Sequence, residues 1–412
     1  MAYLSGKPLE ALLAAGFSVY VFGFDAIDSL LGRESGHSVP ILTNADTADL
    51  ARLFEDLRYP GVDLADAALD DENRTWYFHC ADSIKDNRPS FSLLDFYQDC
   101  KSRVFLDPRG AYPLIARIRR AFSASHAAPK KKAADAEIKI DPLEILQDGL
   151  APGCEHTRAL MDAALILAKY FPPDDETELR IDKIAKLFNG LREGTDPGLE
   201  EQRFLLCSLM NSPNPGLGLE LLKASGFLGK LWPELAILDQ ASHSKEFHPE
   251  GNAWKHTMET FRYRKAGAPD LRLSLGLLLH DTGKPIAVSA GSNRFNDHAQ
   301  LGEIQARQFL RRLGFSASIT GDICFLVRNH MIPAALPRLP LFRTRELMAS
   351  PLFPILMELY RCDESSSFKG LDGYYESSAA YQSFLRNLRN PYRSADGKKL
   401  NQKPSKRATI VR

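Results

Sequence analysis

No stretch of about 18 apolar residues occurs anywhere in this 412-residue chain, so no membrane-crossing helix is expected. Met1 to Gly16 also lacks a basic region followed by a long apolar core, so a secretory leader is not expected either. Both absences point to a soluble, cytoplasmic protein with no membrane partner. Cysteine is sparse. Cys80, Cys100, Cys154, Cys207, Cys324 and Cys362 are scattered with no CxxC pair, which argues against a disulfide framework and leaves reduced thiols. Net charge is missing too, because 52 basic residues cancel 52 acidic ones. No global field then attracts nucleic acid, and any such binding has to come from a local patch. No internal repeat is evident. With 44% hydrophobic residues the chain can bury substantial cores, and its length suits two to four domains.

Histidine is scarce as well, ten in all, yet four of them fall into an ordered series with two aspartates. The apolar run Leu277-Leu278-Leu279 ends in His280-Asp281-Thr282-Gly283-Lys284-Pro285. His256 lies 24 residues before His280, His298 lies 17 after Asp281, His330 follows 32 later and Asp363 a further 33. Imidazole nitrogen and carboxylate oxygen are ligands that Mn, Fe, Co, Ni and Zn prefer, and a mixed set holds one or two ions with positions left open for water. The chemistry this suggests is metal-assisted hydrolysis.

Periodicity places these residues on helices. Leu271 to Leu279 reads as a helix stopped by Gly283 and Pro285; His256 lies near a helix start after Pro249-Glu250-Gly251-Asn252. His298 opens a helix to Leu313, His330 ends one from Ile319 to Met331, and Asp363 sits in the amphipathic run Pro354 to Ser365. A bundle whose helices aim polar ligands inward is a common metal scaffold. The opening of the chain reads differently: Phe17 to Phe22 is strand-like, and Ala26 to Leu31 helical. A second apolar run, Val39 to Leu42, precedes a helix from Thr47 to Leu57. The fold class expected is α+β, a small mixed head followed by a large all-α part. Residues 1–122 would form the head, 123–140 a linker or flexible loop, 141–240 a helical neck, 241–385 the metal-binding domain and 386–412 a tail.

The series from His256 to Asp363 resembles the HD superfamily of metal-dependent phosphohydrolases, whose pattern is H, HD, H, H and D. The resemblance spans roughly residues 245–370, and all six motif positions are filled. It implies that His256, His280, Asp281 and Asp363 hold a first metal, and that His298 and His330 complete a second position or contact phosphate. Lys284 falls where many HD domains place a lysine beside the phosphoryl group, which suits a compact cation. His280, Asp281 and Lys284 are thus the catalytic candidates, with Lys284, His298 and His330 as substrate contacts. The cofactor implied is a divalent Ni, Co, Mn, Fe or Zn ion, with Mg also able to serve, as one or two ions.

A second resemblance covers most of the chain. Tyr20-Val21-Phe22-Gly23-Phe24-Asp25-Ala26-Ile27-Asp28 through Gly32-Arg33 is similar to the opening of bacterial tRNA nucleotidyltransferases and poly(A) polymerases, Y-[VL]-V-G-G-x-V-R-D-x-L-L-G. Thr43 and Ala45, Arg88 to Leu93, Leu106 to Gly110, Asp141 to Leu146 and Gly226 to Leu235 fit later motifs of the same family. The departures matter more. Nucleotidyl transfer uses paired carboxylates to hold Mg²⁺, and where the family has D-x-D this chain has Ser38 and Pro40. Phe24 replaces the second glycine, Ile27 an arginine, Ser90 an aspartate, and Glu144 and Gln147 the two neck arginines. Asp25, Asp28 and Asp46 sit on the wrong elements to replace a strand pair. The head therefore reads as an inactive nucleotidyltransferase fold beneath an intact HD site.

Residues 386–412 carry nine Lys and Arg against Asp396 alone, a net of +8, and Lys130 to Lys132 form a short basic run. Such segments contact nucleic acid or serve as solvated tails and loops. The reading that follows is a metal-dependent phosphohydrolase acting on nucleotide or RNA-end phosphoesters, such as 2′,3′-cyclic phosphates or nucleoside monophosphates. Neck and tail would provide contacts to tRNA or other RNA. Two other functions stay open, a non-catalytic RNA-binding or regulatory protein and a still-active nucleotidyltransferase.

Overall fold

The computed structural model describes residues 6–33, 38–60, 65–71, 74–82, 95–108, 110, 112–126, 146, 156–188, 196–241, 251–265, 270–289, 297–367 and 370–389. The motif stretches Arg88 to Leu93, Asp141 to Ile145 and Lys130 to Lys132, and the tail after Arg389, lie outside them. The described chain divides into two compact units. The first comprises residues 1–236 with 265–271 and 309–319, and the second comprises 237–264, 272–308 and 320–412. The class is α+β, with one mixed sheet in the first unit and helices through the rest.

Six strands build the sheet in the order β3-β4-β2-β1-β5-β6: β1 Val19–Phe22, β2 Ser38–Thr43, β3 Ala67–Asp70, β4 Thr75–Cys80, β5 Tyr97–Asp99 and β6 Phe105–Leu106. β1 runs antiparallel to β2 and β5, while β2 runs parallel to β4. Pro40 sits within β2 although proline cannot donate to a ladder. The antiparallel register with β1 runs only from Thr43 to Ile41, so Pro40 has no paired residue on that side.

Because side chains alternate between faces, Ser38, Pro40 and Leu42 share one face of the sheet. Directly opposed residues share it too: Tyr20 beside Leu42, Tyr97 beside Phe22 on the next pair, and Thr75 beside Ser38. Phe22, Leu42 and Tyr97 form a buried apolar cluster there, with Tyr20, Ala81, Leu106 and Phe204 packed against it. The carboxylates on this face, among the described strand residues, are Asp70 on β3 and Asp99 on β5. Three strands lie between them, which at about 4.8 Å per strand sets them roughly 19 Å apart. Each is engaged. Asp70 accepts two bonds from Arg58 at 2.6 and 2.8 Å, and Asp99 accepts from the Lys101 amide at 2.8 Å and the Ser102 hydroxyl at 2.8 Å.

Asp25 and Asp28 are buried on the helix Phe24–Leu31. Asp28 accepts from the Tyr170 hydroxyl and pairs with Lys169, both at 3.1 Å. Asp46 caps the helix Thr47–Leu53 through the Asp49 amide. Helices His156–Tyr170, Asp175–Phe188, Leu199–Met210 and Pro215–Ala224 make up much of the stretch expected as a helical neck. The expected linker or flexible loop at 123–140 differs: residues 123–126 finish the helix Tyr112–His126, and the remainder lies outside the described residues. Among the described residues no helix is long and apolar enough to cross a membrane.

The six expected ligands all fall in the second unit, on or beside the helices Ala253–Thr260, Leu271–Leu279, His298–Arg312, Ala317–Asn329 and Phe353–Ser365. Two ends differ from expectation. His280 to Gly283 form a turn, and Lys284 and Pro285 open a new helix, Lys284–Ser289, instead of ending the old one. Proline suits that place, because its fixed φ and missing N–H cost nothing in a first helical turn. His330 lies one residue beyond its helix.

Candidate metal centre

Five chain segments bring all six expected ligands together. Asn252 caps the helix of His256 by accepting from the Lys255 amide at 2.9 Å, which fixes where that helix begins. His280 and Asp281 hang from the end of a helix whose Leu275, Leu277, Leu278 and Leu279 are buried. His298 and His330 lie 3.1 Å apart through their Nε2 atoms, and His256 Nε2 lies 2.9 Å from Asp363 Oδ1.

Asp281 is the centre of the arrangement. Its Oδ2 lies 3.9 Å from His256 Nε2, 3.3 Å from His280 Nε2 and 2.6 Å from Lys284 Nζ. Its Oδ1 faces the other way, 3.9 Å from His298 Nε2 and 4.0 Å from His330 Nε2. The six ligands thus fall into two groups, His256 with His280 and Asp363, and Asp281 with His298 and His330. Within each group the ligand atoms lie inside 4.8 Å of one another.

The hydrogen bonds fix which nitrogens point inward. Carbonyl oxygen only accepts, so His280 Nδ1–H donates to Leu277 O and His330 Nδ1–H to Val327 O, each at 2.7 Å. The Ser366 hydroxyl gives its single hydrogen to Asp363 O at 2.6 Å, so at 3.3 Å His256 Nδ1–H donates to Ser366 Oγ. In neutral imidazoles Nε2 is then an acceptor, held by its partner in the way outer-shell groups orient metal-binding histidines. Lone pairs therefore face lone pairs. His256 Nε2 meets a carboxylate oxygen, and both His280 Nε2 and Asp281 Oδ1 are buried with no hydrogen-bond partner among the described residues. A buried polar atom left so costs about 1–3 kcal/mol. Only a proton or a cation relieves such a cage, and the donor set, four nitrogens and two carboxylates, suits a divalent transition ion.

The proton affinities agree with anionic carboxylates and a neutral His330. Burial alone would push the Asp281 carboxyl up, and His280 and Lys284 more than reverse this, holding it well below the usual range. Asp363 is also raised by burial and then carried well below its ordinary value when His256 Nε2 carries a proton toward it, one of the two ways of relieving that contact. Burial, reinforced by His280, pushes His330 down to about 3. His280 and Asp281 are each 1% exposed, whereas the side chains of Asp363, Lys284 and His298 are 23, 13 and 11% exposed. Those three mark the open side.

Residues 253–363 match the HD domain family. They form an HD domain. Over 183 residues the chain is 31% identical to the CC-adding tRNA nucleotidyltransferase of Thermus thermophilus, an alignment covering 43% of this chain and 42% of that protein. Over 119 residues it is 30% identical to the Multifunctional CCA protein of Halorhodospira halophila, covering 29% of each. The chain thus spans less than half the length of these relatives. Among solved structures, the Bacillus stearothermophilus CCA-adding enzyme in complex with CTP aligns with 92% of this chain and 80% of its own, at 14% identity and a TM-score of 0.36. The HD domain and homology to CCA-adding tRNA nucleotidyltransferases rest on the family match and the two sequence relatives, as the sequence motifs led one to expect.

Sequence reasoning passed over Ser366, Asn252 and the carbonyls of Leu277 and Val327. Ser366 lies three residues after Asp363, so helical spacing could have pointed to it. The two carbonyls carry no side-chain signal at all.

Proposed function

We propose that this chain is a metal-dependent phosphohydrolase whose HD centre acts on nucleotide or RNA-end phosphoesters, such as 2′,3′-cyclic phosphates or nucleoside monophosphates. The observation that carries the reading is Asp281, buried, with its two oxygens turned toward two separate groups of inward-facing imidazoles. His256, His280, Asp281 and Asp363 would hold one ion, and His298 and His330, with the second oxygen of Asp281, would hold another. Divalent ions bound there supply a water of lowered pKa, about 7 against 15.7 in bulk, and polarise a phosphoryl oxygen.

The protein's own groups do the rest. Leu277 O, Val327 O and Ser366 Oγ hold three imidazoles in the ligand tautomer, so no proton has to leave Nε2 before an ion binds. Lys284, on the open side, keeps a fixed positive charge where phosphoryl oxygens would approach, and it neutralises part of the carboxylate charge until they do. The buried helices around the turn exclude bulk water and strengthen these interactions.

The head is read as inactive in nucleotidyl transfer. Support comes from the sheet face bearing Ser38 and Pro40, where Ser38 is exposed and Pro40 half-buried, while Phe22, Leu42 and Tyr97 with Phe204 against them fill the Leu42 end, and the two carboxylates that the described strands place on this face are far apart and already bonded. The CCA-adding relatives suggest tRNA as an RNA partner, which the neck and the basic tail would contact.

The test is a phosphoester panel run with Ni²⁺, Co²⁺, Mn²⁺ and Mg²⁺ on protein whose metal content is measured. Turnover is expected with at least one transition ion. Asp281→Ala and Asp363→Ala are each expected to remove both bound metal and activity. Metal retained with normal turnover in a folded Asp363→Ala protein would overturn the site, and metal binding without turnover would select an RNA-binding role.

A further inference from the structure

The two ligand groups are joined at one backbone crossing that has no side chain in it. A Cβ built on Gly283 would collide with His298 O and with the Gly302 amide nitrogen, and would come within 2.9 Å of the His298 carbonyl carbon. Gly302 faces back in the same way. Its Cβ would lie 3.3 Å from the Gly283 nitrogen, 3.5 Å from His280 O and 3.2 Å from Val327 Cγ1. The turn carrying His280 and Asp281 therefore rests directly on the first turns of the helix carrying His298. The same spot touches Val327, whose carbonyl holds the His330 ring.

Gly283 is not needed here for its backbone angles, since its φ is not in the left-handed region. The requirement is closeness alone. The atoms it would strike are backbone, which cannot rotate aside as the end of a side chain can. Relief of an overlap of about 1 Å has to come from moving whole segments apart. The turn is pinned by Thr282 N to Leu279 O, Lys284 N to Asp281 O, and Ala287 N to Gly283 O, and the start of the His298 helix by Leu301 N to Asp297 O. Whichever segment moves, His298 is displaced relative to Asp281, within one ligand group.

Metal coordination does not tolerate that displacement, because ligand distances hold to about ±0.2 Å. We infer that Gly283 is a positioning residue that sets the Asp281, His298 and His330 group against the His256, His280 and Asp363 group, so that a methyl at position 283 costs the second ion and spares the first. The inference rests on the two-group reading of the metal centre.

Metal stoichiometry separates the two claims. Full-length wild-type protein and Gly283→Ala would be freed of metal, then titrated with Ni²⁺ and with Mn²⁺ by calorimetry and equilibrium dialysis, with thermal melting as the check on folding. The expected result is two ions for wild type and one for Gly283→Ala, the retained ion keeping its affinity within about threefold. Gly302→Ala meets only tight contacts and should weaken the second ion by less, which keeps the test available if Gly283→Ala fails to fold. Gly321→Ala, with open space around its Cβ on the helix Ala317–Asn329, should bind both ions as wild type does. A wild type that takes a single ion overturns the two-group reading and the inference with it. Two ions in wild type and two of unchanged affinity in Gly283→Ala and Gly302→Ala, or loss of both ions together from a folded variant, overturns the inference alone.

Discussion

Lys284 shows how one side chain can be given two tasks by its surroundings. Its ammonium sits 2.6 Å from Asp281 Oδ2, on the same oxygen that His256 and His280 approach. In that position it is a counter-charge, and against the upward push of burial its ammonium is one of the partners that lower the Asp281 pKa. The ion pair is short and half of it is deeply buried, so the carboxylate would keep its charge with or without the lysine once a divalent ion is bound. Removing the lysine and removing a ligand should therefore differ in kind. Lys284→Ala is expected to leave bound metal in place and to lower turnover on a phosphoester by roughly 100-fold, the scale on which a single group stabilising developing charge acts. Parallel metal analysis and steady-state rates check this. Equal turnover with and without the lysine would reduce it to an ion-pair partner of Asp281.

At the scale of elements, the centre depends on where helices begin and end, and caps decide that. Asn252 lies in extended backbone and its side-chain oxygen accepts from the Lys255 amide, one residue before His256; its amide nitrogen also donates to Asp239 at 3.1 Å. Asn252→Ala is expected to cost about 1 kcal/mol of stability, the usual value of such a cap, and to weaken binding of the ion held by His256 more than that of the ion at His298 and His330. Melting curves and metal titration read the two effects separately. Element for element, the sequence is most legible where the apolar period is strong. The leucines from Leu271 to Leu279, and the run Pro354 to Ser365, define their helices almost to the residue. It is least legible in the sheet, where β3 is four residues and β6 two, too short for alternation to stand out. The turn at His280 also misled in one respect: Pro285 reads equally well as a stop or a start, and only packing chooses the start. The six-ligand series was visible because ligand chemistry lives in side chains. The carbonyls of Leu277 and Val327, and the backbone crossing at Gly283 and Gly302, were not, because close approach leaves no residue type of its own beyond glycine.

For the whole molecule, the question is whether a chain homologous to CCA-adding enzymes keeps their chemistry in its first unit or only their frame. Local substitutions alone would leave room for a simple reversal, in which two carboxylates returned to β2 rebuild the metal pair. The sheet face argues otherwise. Pro40 and Leu42 share it with Phe22 and Tyr97, Phe204 packs onto the cluster, and Phe24 stands where the family has a glycine. Asp28, the one motif carboxylate retained on the neighbouring helix, is committed to Lys169 and Tyr170. Ser38 is exposed and Pro40 half-buried, but a triphosphate reaching over Leu42, Phe22 and Tyr97 would have to open a buried apolar cluster, at about 25 cal/mol per Å² of surface re-exposed, in addition to supplying the carboxylates. The full-length protein is accordingly expected to add neither CMP nor AMP to a tRNA lacking its 3′ end. The double variant Ser38→Asp, Pro40→Asp should stay inactive as well, while its HD centre keeps wild-type metal content. Labelled CTP or ATP, gel-resolved tRNA and metal analysis of the same samples decide the matter. Template-independent incorporation by wild type would show the head to be alive through other carboxylates. Incorporation by the double variant alone would show that two side chains, and not the filled face, had silenced it.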